Sequence, residues 1–194
     1  MPLDLPIDDV KVYVNDLLDQ IGKSCTIDGI STKIMLSDLE YTRSFLEENM
    51  KQAVIPQGVS VHRGSKVLIT DSGLTGIVYT NPNDDLVSLS VRLLICNSSI
   101  QVKTYVKVYD KDTGDLTGNT SSLSTAITGF IERVSATEKQ YDMGLLHETV
   151  LRFITFAGAS IKMDDSVQFN NKNYKVIDIN ELTDGLLMVQ LANG

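Results

Sequence analysis

Between Leu86 and Ile95 the chain alternates, with Val87, Leu89, Val91 and Leu93 on one side and Ser88, Ser90 and Arg92 on the other. A period of two is the mark of a strand with one buried face. The stretch "GLLMVQL" near the C-terminus places Leu187, Val189 and Leu191 in the same way. Ahead of these strands lie "NPNDD" at 81–85 and "ELTDG" at 181–185, where Asn, Pro, Asp and Gly supply turn conformations. "SVQFNNKNYKVIDIN" reads as a hairpin turning at Asn171-Lys172-Asn173, and "KVLITDSGLTGIVYT" offers Asp71-Ser72-Gly73 at the matching place. "IQVKTYVKVYD" reads as a further strand.

The N-terminus follows a different rhythm. Ile7, Val10, Val14, Leu17, Leu18 and Ile21 share one face at helical spacing, with Asp8 as cap and Gly22 as stop. A competing reading pairs "VKVYV" at 10–14 with "VKTYV" at 102–106 as strands, but Asp16 and the adjacent leucines favour helix. Residues 36–50 and 136–146 are the least regular and read as long loops, the first with a helical turn around Phe45–Met50.

Two stretches, "GVSVHRGSKVL" from Gly58 and "GASIKMDDSVQF" from Gly158, share a framework at a separation of 158 − 58 = 100. Carried along the chain, that offset matches Ser24/Ser124, Ile27/Ile127, Gly29/Gly129, Tyr41/Tyr141, Glu48/Glu148, Ser60/Ser160, Val67/Val167, Ile77/Ile177, Asp84/Asp184 and Leu86/Leu186. It also sets Val61 against Ile161, Leu74 against Tyr174, Leu89 against Val189 and Val91 against Leu191. Matching apolar periods with matching turn glycines indicate two copies of one fold. The expected architecture is mainly β: two tandem small barrels or sandwiches related by internal duplication, with a short N-terminal helix. The expected divisions are a helical segment at 1–23, a first β module at 24–96, a β/linker segment at 97–123 and a second β module at 124–194. The expected core is Ile27, Val61, Val67, Ile77, Leu89 and Val91, with Ile127, Ile161, Val167, Ile177, Val189 and Leu191.

Length and composition narrow the function. The 194 residues are enough for one large or two small domains, and 42% are hydrophobic. Apolar runs such as "VRLLIC" fall far short of the roughly 20 residues that span a bilayer. "MPLDLPIDDV" lacks the basic-then-apolar pattern of a signal peptide, so export is not expected. Cys25 and Cys96 then read as unpaired thiols. A net charge of −8, with 17 scattered Lys and Arg, argues against avid binding to nucleic acid.

Chemistry-bearing patterns are weak. "DKDTGD" at 110–115 opens like a calcium loop, but its Gly stands fifth and Ser121 occupies the place of the bidentate Glu. It reads as a solvated turn followed by a linker, "TGNTSSLST". His62 and His147 have no companion ligands in sequence, no Gly-x-Ser-x-Gly elbow is present, and no helix follows the glycines at 58, 64, 73 and 76 to cradle a phosphate. No catalytic, cofactor or metal residue is assigned, and an enzyme is not expected. Candidate contact residues lie in the irregular loops: Tyr41, Arg43, Glu47 and Glu48, then Glu138, Lys139, Tyr141 and Asp142. Tyr and Arg are favoured as interface anchors.

From Ile127 to Leu191 the order is strand, long loop, strand, then an apolar-to-Asp-x-Val turn, "IKMDDSV", hairpin, "YKVIDI" and a final strand. This layout resembles the head-completion (stopper) and head–tail joining proteins of tailed bacteriophages, and Ile27–Val91 resembles them less closely. Family members carry Gly-Asp before the central Val; Gly64-Ser65 and Asp164-Asp165 each keep one half of it. The family is often single-copy, so a doubled chain departs from the type. The resemblance implies a virion protein made in the host cytoplasm: a ring subunit, in six or twelve copies, of the neck between portal and tail. Its partners would be its own copies, portal or adaptor proteins and tail proteins, with genomic DNA passing without specific binding and no membrane contact. An acidic channel wall would repel phosphate and let DNA slide, and two similar barrels per chain would give a six-fold ring twelve similar surfaces. A tail-terminator or baseplate component of a phage tail or contractile machine is the alternative. A small-ligand module would need a sheltered pocket with convergent polar groups.

Overall fold

The computed structural model describes residues 6–39, 44–182 and 185–194 and, within its strands, all side chains except those of 104–108, 116–123 and 182. The N-terminal stretch is helix α1 (Ile7–Ile21). Pro6 stands at its N-cap without a side-chain hydrogen bond, so Asp8 is not the cap. Asp8 and Asp9 instead occupy the first turn, where carboxylates face the positive end of the helix dipole. Gly22 ends the helix by donating its N–H to Leu18 O at 2.9 Å; a Cβ there would lie 2.2 Å from the same oxygen. The expected apolar face is only partly used. Leu18 is buried, while Ile7 and Ile21 stay 52% and 65% exposed.

The chain divides into two compact units whose main boundary lies between Cys96 and Asn97. The first is built from β1 (Lys23–Ile27), β2 (Ile30–Asp38), α2 (Phe45–Glu48), β3 (Met50–Pro56), β4 (Lys66–Ile69), β5 (Leu74–Val78), the two-residue β6 (Asn83–Asp84) and β7 (Ser88–Ile95). Its strands run β3-β2-β1-β4-β5-β7 and close by pairing β7 with β3, Ala53 opposite Val91. β6 adds to the outside of β7. Inside lie Cys25, Ile27, Ile34, Ala53, Ile55, Val67, Ile69, Val78, Val91 and Leu93, with Val61 and Leu89 packed against them.

The second unit contains β8 (Ser98–Tyr109), β9 (Leu116–Arg133), α3 (Ala136–Tyr141), β10 (Leu151–Phe156), β11 (Ser166–Phe169), β12 (Lys172–Leu182) and β13 (Leu186–Asn193). It too is a closed barrel, in the order β10-β13-β12-β11-β8-β9. Ile100, Val102, Ile127, Phe153, Val167, Val176, Val189 and Leu191 are among its core side chains. A fully buried aliphatic or aromatic side chain contributes about 1.5–3 kcal/mol, so each interior alone outweighs any surface pair.

Numbered within its own barrel, each strand has the same neighbours: third, second, first, fourth, fifth, sixth, and back to the third. The two halves are therefore tandem barrels of one topology. Their registers also correct the fixed offset. Val67 faces Ile27 and Gly76 across its neighbours, whereas Val167 faces Val102 and Tyr174. From Val67 to Val167 the separation is 100, but from Gly76 to Tyr174 it is 98 and from Ile27 to Val102 it is 75. Ile27/Ile127 and Ser24/Ser124 thus join residues of different strands, and Gly29/Gly129 joins a turn residue to a strand residue.

The causes are two changes of hairpin length. After β11 the chain turns through Asn170 and Asn171, at φ 48° and 60°, with Phe169 opposite Lys172. That is a two-residue loop of the kind Asn tolerates, one residue earlier than expected, where the first barrel needs Thr70–Gly73 between Ile69 and Leu74. Beyond it β7 and β13 correspond at 186 − 88 = 98, which pairs Leu89, Val91 and Leu93 with Leu187, Val189 and Leu191. The same slip turns Val176 inward and leaves Ile177, expected in the core, half-buried.

Candidate assembly surface

The two alike stretches are one connection built twice. In the first barrel Gly64 takes φ +89° and donates its N–H to Val78 O at 2.8 Å, and Val78 N–H returns to Ser65 O at 2.9 Å. In the second, Asp164 takes φ +66°, donating to Val176 O at 3.1 Å, and Val176 N–H returns to Asp165 O at 3.0 Å. The next side chain closes the turn: Ser65 Oγ accepts from His62 N–H at 3.1 Å, and Asp165 Oδ2 from Lys162 N–H at 2.8 Å. Both acceptors are buried. The turn asks for left-handed backbone at one residue and a short acceptor at the next. Gly favours the first and Asp satisfies the second. Each copy keeps one of the pair, and Val67 or Val167 then enters the core.

The barrels differ most between their first two strands. β1 turns into β2 through Asp28 and Gly29, at φ 48° and 87°, and Asp28 Oδ1 accepts from Lys66 N–H at 2.8 Å. At the same place β8 and β9 run on together. Val102 pairs with Thr125 where Ile27 pairs with Ile30, a connection longer by (125 − 102) − (30 − 27) = 20 residues. β8 pairs with β11 only from Gln101 to Lys103, and β9 with β10 only from Phe130 to Arg133. Beyond those limits the two strands pair with each other, Lys107 opposite Thr120 and, past a bulge, Tyr109 opposite Leu116. The stretch "TGNTSSLST", expected as linker, is β9. A Gly-containing turn after the strand "VKTYVKVYD" is the sequence signal that fits a hairpin here.

"DKDTGD" is the tip of this arm. Asp110 Oδ1 accepts from Asp112 and Thr113 N–H at 2.8 and 3.0 Å, and Gly114 takes φ +73°. Those N–H groups hold the carboxyl below the usual aspartate range. The charge is engaged by its own turn.

A second exposed element follows β9. Ser135 caps α3 in a reciprocal box: Ser135 Oγ accepts from Glu138 N–H at 3.1 Å and Glu138 Oε2 from Ser135 N–H at 2.7 Å. Lys139 Nζ donates to His147 O at 2.8 Å. The carboxylate of Asp142 lies 3.5 Å from Arg152 Nη1, and Arg152 also pairs with the buried Glu132. Gln190, wholly buried, pins the loop from inside. Its Nε2 donates to Gly144 O and Asp178 Oδ2 at 2.7 and 2.8 Å, and its Oε1 accepts from Leu146 N–H and Thr149 Oγ1 at 2.9 and 2.6 Å. The loop so held carries Tyr141 at 84% exposure and Met143 at 100%.

Of the expected contact residues, Glu138, Lys139 and Asp142 therefore brace a loop, while Tyr141 is presented outward. Glu47 and Glu48 sit on α2, capped by Ser44, whose Oγ accepts from Glu47 N–H at 3.2 Å. Glu48 lines an open cleft of about 460 Å³ with Lys23 and Lys51. Tyr41 and Arg43 lie outside the described residues. Gln190 was not singled out from sequence, since a lone Gln in an apolar strand carries no motif.

His62 Nδ1 lies 3.1 Å from Ser65 Oγ within its own turn. Cys25 and Cys96 are free thiols, each pushed up to about 11 by burial. Among the described residues no three His, Cys, Asp or Glu gather as a metal site, and no helix is long and apolar enough to cross a membrane. A cleft of about 610 Å³ beside α1 is open, and its Lys33 donates to Asp19 O at 2.6 Å. No protein-family model matches the chain, and no curated protein matches it either.

Proposed function

We propose that this chain is a structural ring subunit of a tailed-phage neck, joining portal to tail through protein contacts. One observation supports the reading: a turn of left-handed residue and short acceptor is built twice before a core Val, at Gly64-Ser65 and Asp164-Asp165, in two barrels of one topology, and each copy keeps one half of the Gly-Asp that the resemblance expects there. The chain's remaining investment is in surfaces, a long paired arm and a braced loop bearing Tyr141 and Met143. Six copies would carry twelve barrels but six arms, so the two kinds of barrel would make different contacts. The net charge of −8 suits a wall past which DNA slides.

Location tests the proposal. An antibody to the purified protein, applied to virions of the phage that encodes it, is expected to label the head–tail junction. Label at the distal tail would transfer the protein to the tail-terminator or baseplate class, and virions without the chain would end both readings.

A further inference from the structure

We infer that the β8–β9 arm links copies of this chain edge to edge, the outer edge of β9 in one copy pairing with the outer edge of β8 in the next. The inference rests on the ring-subunit reading and names the contact that makes the ring. Past Lys103, β8 has no second strand beside it among the described pairings, and neither has β9 before Thr128, whose carbonyl takes the Thr155 hydroxyl at 3.0 Å. Each arm thus offers two rows of backbone N–H and C=O groups, one on each side.

Natural sheets protect such edges with charge or proline. From Leu116 to Ile131 the sequence has no Asp, Glu, Lys, Arg or Pro. The β9 edge is therefore unprotected along its whole free length. β8 instead carries Lys103 and Lys107, so two β8 edges would set like charges together, which is unfavourable across a ladder. Two β9 edges could meet, but every β8 edge would then remain bare. β9 against the next β8 uses both rows and opposes no like charges. It is a head-to-tail contact, which closes into a ring when the rotation permits.

The test replaces residues 105–122 by Asn-Gly, so that Thr104 and Leu123, already cross-strand partners, close a two-residue hairpin. The barrel pairs from Ser98 to Lys103 are untouched. Sedimentation of the full chain is expected to show assemblies of several copies, and the shortened chain to sediment as one copy with unchanged melting. A variant of full length, Thr120→Glu with Ser122→Lys, charges the β9 edge and should lose association too, which serves if the shortened chain misfolds. Copies bearing Lys107→Cys, mixed with copies bearing Thr120→Cys in a Cys96→Ser background, should oxidise to unlike pairs. A full chain that stays single at its highest soluble concentration overturns the inference. So does arm-independent assembly, or disulfide formation by the Thr120→Cys copies alone. Rings in virions that form without the arm would remove edge pairing and leave the neck reading standing; arm-dependent assembly of a chain absent from virions would do the reverse.

Discussion

The first barrel passes from its first strand to its second in two residues, and the second barrel spends twenty more at the same place. Both nevertheless close with the same strand neighbours. Closure depends on strand order and inward alternation, and is indifferent to how far a hairpin overshoots. The interiors were refitted as well. The registers make Ile34 and Ala53 equivalent to Gly129 and Phe153. One barrel uses medium beside small, the other none beside large: a Cβ on Gly129 would lie 2.5 Å from the Phe153 ring. A shared fold is kept by complementary volume, while added length is accommodated where the core is not involved.

The largest expected effect tests whether the barrels stand separately. Val67→Asp and Val167→Asp each place an unpaired charge in a fully buried site, at a cost on the order of 5 kcal/mol. Each should unfold its own barrel and leave the other's dispersed amide resonances in place; a variant melting like the parent would refute that placement. Next, Phe153→Ala should cost about 3–5 kcal/mol, and Ala53→Phe about 1–3 kcal/mol by overpacking. Adding Ile34→Gly to Ala53→Phe copies the second interior into the first and should recover part of that loss in chemical denaturation. Strict additivity would show that the two sites do not exchange volume.

A smaller contrast separates Gln190 from its counterpart Arg92, which is exposed. Gln190→Leu strands the partners of four hydrogen bonds and should cost about 2–3 kcal/mol, whereas Arg92→Leu should stay within about 0.5 kcal/mol. Equal melting shifts would show that Gln190 does not hold the loop. The smallest effect is local and depends on pH. The Ser135 N–H holds Glu138 below the usual glutamate range, so the folded state binds its proton less readily than the unfolded one. Its contribution is complete above about pH 4.3 and fades as pH falls through the lower folded value. Amide protection factors in α3, taken relative to the intrinsic exchange rate at each pH, should fall below about pH 4, and Glu138→Gln should abolish that dependence; protection that does not change with pH in the parent would contradict it.

Much of the architecture was readable in the sequence, because alternation at 87–93 and 187–191 reports inward faces directly. The doubling was legible where no length change intervenes, around Val67 and Val167. It was misaligned elsewhere, since a fixed offset cannot follow a hairpin lengthened before it and another shortened after it; Ile127 and Ile177 were matched to the wrong partners for that reason. The arm was missed because Thr, Ser and Gly in a run are shared by linkers and edge strands, and pairing decides which. The braced loop was half seen. Glu138 and Tyr141 stood out by type, but whether a side chain ties its own backbone or faces a neighbour depends on Gln190, far along the chain.

That bracing has a thermodynamic corollary. Ordering a mobile loop on contact subtracts from affinity, often by about 0.5–1.5 kcal/mol for each side chain fixed. The backbone around Tyr141 and Met143 is already immobilised by bonds within the second barrel, so a protein settling on it forfeits little freedom there. Even a modest contact patch there would then bind more tightly than its area alone suggests.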